Sequence, residues 1–272
     1  MLPRCYNDLH EQFGREQFGL NDPYLPVRLA RLGTTRATPS AVSIVMFVVL
    51  GASGRTGGAA ARALVGTGSD VCAHGNTRKP ELAGVEKDRY SCVQGPLSSI
   101  EASAFDKAVA VLICVGKQNP SRGGKKSLDQ QEQLEVTETV RVAEIARAAG
   151  VNICVLLSAY GAKEGGARYS ATKAKAEAAL ASVGFARLVV AQPMFILGGG
   201  RGPGRCVGSL LKCLGVAIEC EQLGIAMAAL AREQVHHLQT VPTASEQQHV
   251  QVVKHEELVA QWRDVQERRR QL

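Results

Sequence analysis

The chain has 272 residues, 45% hydrophobic and 21% charged, and its 32 Lys and Arg against 25 Asp and Glu give a formal net charge of +7. That balance belongs to a globular protein with a sizeable core and excludes a disordered chain or a collagen-like repeat. The longest apolar run, 41–50, is about half the length of a membrane-spanning helix and carries Ser43, so no transmembrane segment is expected.

Residues 1–45 hold five Arg, no Lys and four acids, Asp8, Glu11, Glu16 and Asp22. Arginine without lysine points to a mitochondrial presequence, and the acids point away from one. A near-repeat, EQFGREQFG at 11–19, and Pro23, Pro26 and Pro39 argue against one long amphipathic helix. Three readings stand: a disordered extension, an upstream start with the folded protein opening near Met46, or an arm that docks Tyr6, Phe13, Phe18 and Tyr24 onto its own domain or onto a protein partner, a second subunit or a larger assembly. The cysteines at 5, 72, 92, 114, 154, 206, 213 and 220 form no CxxC pair, and most lie in apolar runs. They read as reduced core thiols of an intracellular protein, cytoplasmic or alternatively mitochondrial. Cys206, Cys213 and Cys220, spaced by seven, are placed on one helix face, and no metal site is expected.

MFVVLG (46–51) is a β-branched run leading into GASGRTG and an alanine-rich stretch, the pattern of strand, turn and helix. Gly51, Gly54 and Gly57 make a GxxGxxG spacing in which backbone can approach a pyrophosphate and a helix N-terminus can face it. Gly51, Ala52, Ser53, Gly54, Arg55, Thr56 and Gly57 are therefore the candidate dinucleotide-binding turn. After the next strand, DVCA (70–73), no acid appears until Glu81, whereas Arg78 and Lys79 stand where a 2′-phosphate would lie. With Arg55 they form an NADP(H)-like rather than NAD(H)-like pattern, the other reading being a solvated basic loop.

Further strands are expected at Tyr90–Val93, 108–116, 152–162 and 187–198, with a helix beginning at Ser127 as N-cap and another over 170–184. This alternation predicts an α/β fold, a doubly wound parallel sheet of Rossmann type, in one domain from 46 to 272. A substrate-side segment is expected from about residue 195. Ligands of such sheets bind at strand carboxyl ends, so Gly51, Val115, Gly116, Ser158 and Pro193 should converge on one crevice. Two glycine-rich basic loops, 116–126 and 198–205, are either lids over an anionic substrate or solvated surface. Without interleaved aromatics they do not read as a nucleic-acid interface.

Tyr169 and Lys173 stand four residues apart at a helix start and so share a face, and Ser158 lies upstream at a strand end. In a carbonyl reduction Tyr169 would donate the proton, Lys173 would stabilise the phenolate and hold a ribose hydroxyl, and Ser158 would orient the carbonyl of a small-molecule substrate. The same residues would also serve a pocket that grips the nucleotide without turnover.

GASGRTG, the TR pair, LICVG, VLLSAYGA, YSATKAKAEAAL and IECEQLGIAMAALA together resemble the atypical short-chain dehydrogenase/reductases, in particular NmrA-like, biliverdin-reductase-B-like and Tat-interacting-protein-like members. The resemblance spans about 46–260. It implies a Rossmann sheet, NADP(H) at the glycine turn, and the family's serine, tyrosine and lysine at Ser158, Tyr169 and Lys173. Two positions depart from the family pattern. Gly95-Pro96 stands for Gly-Asp, which removes an adenine contact, and Gln192-Pro193-Met194 stands for Arg-Pro-Gly. Members that bind nucleotide without known turnover keep a second reading open, a non-catalytic NADP(H)-binding subunit or regulator.

Overall fold

A computed structural model describes residues 45–116, 124–198, 205–240 and 248–271. The expected arm, positions 1–44, and positions 117–123 and 199–204 of the two basic loops lie outside the described residues.

The apolar run after Val45 forms β1 (Met46–Leu50), whose side chains alternate between two buried faces. Phe47 and Val49 join one core, and Val48 and Leu50 join the other. A strand buried on both sides needs neighbours on both edges and helices on both faces. β2 (Asp70–Gly75) and β3 (Tyr90–Gln94) extend the sheet one way. β4 (Ala108–Ile113), β5 (Ile153–Leu157) and β6 (Arg187–Gln192) extend it the other. With β9 (His249–Lys254) the sheet has seven strands in the order β3-β2-β1-β4-β5-β6-β9. Every pairing is parallel, so all carboxyl ends lie on one edge. The order reverses between β1 and β4, and the crevice of a doubly wound sheet opens there.

Helices α1 (Arg55–Val65) and α6 (Cys220–Thr240) cover one face, with Leu64, Leu223 and Met227 buried beneath them. They pack so closely that a Cβ on Gly224 would stand 2.6 Å from both the Thr56 carbonyl oxygen and Ala59 Cβ. The other face is covered by α3 (Thr139–Ala148) and α4 (Arg168–Ser182) over Val142 and Leu180. α2 (Gly124–Glu132) runs into α3 through a π-helical segment, Gln133–Glu138. β7 (Phe195–Leu197) and β8 (Ala217–Glu219), joined through α5 (Arg205–Cys213), make a separate two-stranded sheet. α7 (His255–Arg270) closes the chain and buries Leu258.

Several expected boundaries move. The strand expected over 187–198 is two strands, because Pro193 lacks the N–H that would continue the ladder with β9; the chain then turns to pair with β8. Ser127 is not an N-cap: the helix starts at Gly124, and Ser127 is buried inside it. Cys206 and Cys213 lie in α5 while Cys220 opens α6, so the three cysteines spaced by seven are not all on one helix. The expected core thiols fit for Cys114 and Cys154, which burial drives up, Cys114 to about 12, leaving them protonated and unreactive.

Two histidines are buried with the sheet. His255 accepts a hydrogen bond from the Met194 amide on Nδ1 at 3.3 Å and is fully buried. His74, on β2, is 2% exposed. Burial pushes both imidazoles below their ordinary 6.5, opposed for His255 by Glu256 and the Gly215 backbone and for His74 by the Gly95 backbone. The unfolded chain therefore binds more protons below pH 6.5, so stability is complete above that pH and lost as pH falls through it. Denaturant unfolding should show stability dropping by about 1 kcal/mol or more between about pH 7.5 and about pH 5.5, with a shallower drop in His255→Gln.

Candidate functional site

β1 ends directly in the glycine turn. Gly51 has φ +82°, and a Cβ there would lie 2.6 Å from the Cys114 carbonyl oxygen at the end of β4. A Cβ on Gly57 would meet the Gly51 carbonyl oxygen at 2.4 Å. Only glycine at both positions lets turn, helix and neighbouring strand close together. The His74 carbonyl accepts from the amides of Gly51 and Ala52 at 3.0 and 2.8 Å, which pins the turn to β2. The first amides of α1 have no carbonyl one turn back, and Gly54 at the N-cap offers no side chain to cover them. They are free for an anion.

Beside this turn a cleft of about 750 Å³ is lined by Ala52, Ser53, Gly54, Arg55, Arg78 and Lys79. Arg78 donates from Nη2 to the Ser53 carbonyl at 3.1 Å, bringing the end of β2 onto the turn. Nη1 of Arg55 is buried there without a hydrogen-bond partner, as expected of a guanidinium awaiting an anion. Thr56 and Gly57 are buried beneath the turn rather than lining the cleft. The cradle, the open helix end and the orphaned guanidinium fit a phosphate-bearing dinucleotide.

The second half of the site is carried by α4. Tyr169, Lys173 and Glu177 recur every four residues and form one stripe. Tyr169 is 37% exposed, with the Lys173 ammonium 5.9 Å from its ring centroid. Lys173 is buried and pairs with Glu135 at 2.7 Å, their side chains 9% and 4% exposed. Glu135 lies in the π-helical segment and reaches β4: its Oε1 would stand 3.3 Å from a Cβ on Gly116. Gln131, fully buried one turn earlier, donates to Glu135 Oε2 at 3.3 Å. Ser158 follows β5, its amide bonded to the Ala191 carbonyl at 2.8 Å, and its hydroxyl donates to Glu177. Gln192 donates to both Glu177 oxygens, at 2.9 and 3.0 Å, and accepts from Lys254 Nζ at 2.6 Å. Pro193 accepts from the Tyr160 amide at 2.9 Å, so the ends of β5 and β6 are joined.

Glu135, Glu177 and Lys254 were not singled out by sequence reasoning. Glu177 had a signal, since it repeats the four-residue spacing from Tyr169 through Lys173. Glu135 had none, because the π-helical segment that aims it departs from the period a sequence reader counts. No group of His, Cys, Asp and Glu able to hold a metal occurs among the described residues. Nor is any helix among them long and apolar enough to cross a membrane.

Residues 51–233 match a family model described as NAD(P)H-binding. No curated protein matches the sequence. Among solved structures, a 3-oxoacyl (acyl-carrier-protein) reductase from Agrobacterium tumefaciens with NADP bound has 19% identity and a TM-score of 0.59, covering 78% of this chain and 93% of its own. A UDP-glucuronic acid 4-epimerase from Bacillus cereus in complex with NAD has 12% identity and a TM-score of 0.55, with 77% and 76% covered. A Bordetella bronchiseptica enzyme in complex with NAD+ has 13% identity and a TM-score of 0.53, with 78% and 75% covered. At these identities the likeness is one of fold.

The Lys173–Glu135 pair makes a stability prediction. Removing one partner leaves an uncompensated buried charge, whereas removing both leaves apolar packing. Glu135→Leu should cost about 3–5 kcal/mol in denaturant unfolding, and Glu135→Leu with Lys173→Met should recover most of it.

Proposed function

The chain belongs to the NAD(P)H-binding family, and on that footing we propose that it is of the short-chain dehydrogenase/reductase type, an NADP(H)-dependent reductase of a small carbonyl or related acceptor. The observation that carries the reading is the Tyr169–Lys173 stripe, with a half-exposed phenol over a buried ammonium. It stands on the helix that follows β5 in a sheet whose carboxyl edge also holds the glycine turn.

The preference for NADP(H) is supported by Arg55, Arg78 and Lys79 around one cleft and by the absence of an acid between β2 and Glu81. Guanidinium groups match phosphate oxygens bidentately. When bound, the reduced nicotinamide supplies a hydride to the carbonyl carbon. Tyr169 donates the proton that the carbonyl oxygen gains. The Lys173 ammonium lies beneath its ring, where it would hold a ribose hydroxyl of the cofactor, and Glu135 holds that ammonium in place. Val115 and Gly116 follow β4 at the carboxyl edge of the sheet, and Gly116 lies close to Glu135.

A second reading, a nucleotide-binding subunit or regulator without turnover, is favoured by one observation: Lys173 and Ser158 are both engaged by carboxylates of the protein itself. In that reading residues 1–45 carry the protein partner.

NADPH oxidation against a panel of ketones, aldehydes and quinones separates the two. The reductase reading expects turnover with at least one acceptor, reduced about 100-fold or more in Tyr169→Phe while cofactor affinity is kept. Turnover undiminished in Tyr169→Phe removes Tyr169 as the acid. Silence across the panel, with a protein association lost on deleting residues 1–45, supports the second reading instead.

A further inference from the structure

Lys254, Gln192, Glu177 and Ser158 form a hydrogen-bond chain whose direction is determined. The Lys254 ammonium has donors only, so the Gln192 oxygen, 2.6 Å away, must face it. The Gln192 NH2 group then faces Glu177, 2.9 and 3.0 Å from its two oxygens. Glu177 Oε1 in turn accepts the Ser158 hydroxyl. A serine hydroxyl has a single proton. With that proton committed to Glu177, Ser158 has only lone pairs to offer the crevice, and it cannot donate to a substrate carbonyl.

We propose that Ser158 accepts a hydrogen bond from its substrate, so the substrate carries a hydroxyl or N–H beside the carbonyl that is reduced, and that Glu177 is the positioning residue that makes Ser158 an acceptor. The inference rests on the reading of this crevice as a substrate site. It differs from the role first expected of Ser158, which was to donate to the carbonyl. Around the same strand ends Tyr160, Phe195 and Ile196 are 51%, 52% and 38% exposed, an apolar rim for the body of such a molecule. A site that pairs a substrate hydroxyl discriminates strongly against an analogue that cannot donate, because the protein's buried acceptor is then left unpaired.

The test uses 2-hydroxyacetophenone and 2-methoxyacetophenone, aryl ketones in which the second oxygen bears a proton in one and a methyl group in the other. Each is titrated by calorimetry into the full chain saturated with NADP+, so no turnover is needed. The hydroxyketone should bind about tenfold tighter. In Glu177→Leu no carboxylate is left to accept the serine proton, which is then free for the crevice, and the preference should vanish or invert. Ser158→Ala should weaken the hydroxyketone and bring the two ligands level. NADP+ uptake by each variant reports that it is folded. Equal affinities in the native chain, a preference unchanged in Glu177→Leu, or binding of neither ketone overturns the proposal. Selective binding without any NADPH oxidation removes the reductase reading and leaves Ser158 as an acceptor, held so by Glu177, for a hydroxyl or N–H of the bound ligand.

Discussion

No side chain fits where β1, α1 and the end of β4 meet. The Gly51 carbonyl leaves no room for a Cβ on Gly57, and the Cys114 carbonyl leaves none on Gly51. That contact brings the N-terminus of α1 to the carboxyl edge of the sheet, with its first amides uncovered. The same crowding continues outward. α6 lies against α1 through Gly224, Ala59 and Thr56, and α7 is layered on α6 over Leu258. A chain short of aromatics thus builds its core from small residues at close approach and from Val, Leu and Ile in the strands.

Chemistry is then distributed along one helix. α4 presents Tyr169, Lys173 and Glu177 on a single stripe, and each meets a different part of the frame: solvent at the crevice, the π-helical segment, and the ends of β5 and β6. Buried charges need partners, and here the partners come from distant segments, Glu135 for Lys173 and Gln192 with Ser158 for Glu177. The two carboxylates make the serine and the lysine of this site different in state from isolated side chains. Ser158 is a donor already spent, and Lys173 is a cation already paired. Tyr169 stands outside the hydrogen-bond chain Lys254–Gln192–Glu177–Ser158 and is 37% exposed.

The sequence made legible whatever depends on local pattern. The β-branched run before GASGRTG, the glycine spacing and the alternation of strands and helices predicted the parallel sheet, and every pairing in it is parallel. The NAD(P)H-binding match over 51–233 agrees with the dinucleotide reading of that turn. Hidden from the sequence were features set by long-range geometry. β9 joins the sheet beyond β6 with an exposed, weakly alternating pattern, His249 to Lys254, that carries little strand signal. Pro193 reads as part of one apolar run until the partner strands show that the ladder changes sheets there. Glu135 is aimed by a π-helical segment and has no periodic signature. The direction of the Ser158 hydrogen bond follows from the Glu177 carboxylate, and the orientation of the Gln192 amide on that carboxylate follows from Lys254, 62 positions away in the chain.

The central claim is that the glycine turn and the cleft beside it hold a phosphorylated dinucleotide. Calorimetric titration of the full chain with NADPH and with NADH, repeated on Arg78→Ala, addresses it most directly. The account predicts saturable binding of about one NADPH per chain, weaker binding of NADH by about tenfold or more, and a difference largely erased in Arg78→Ala. No saturable heat with either nucleotide would contradict it.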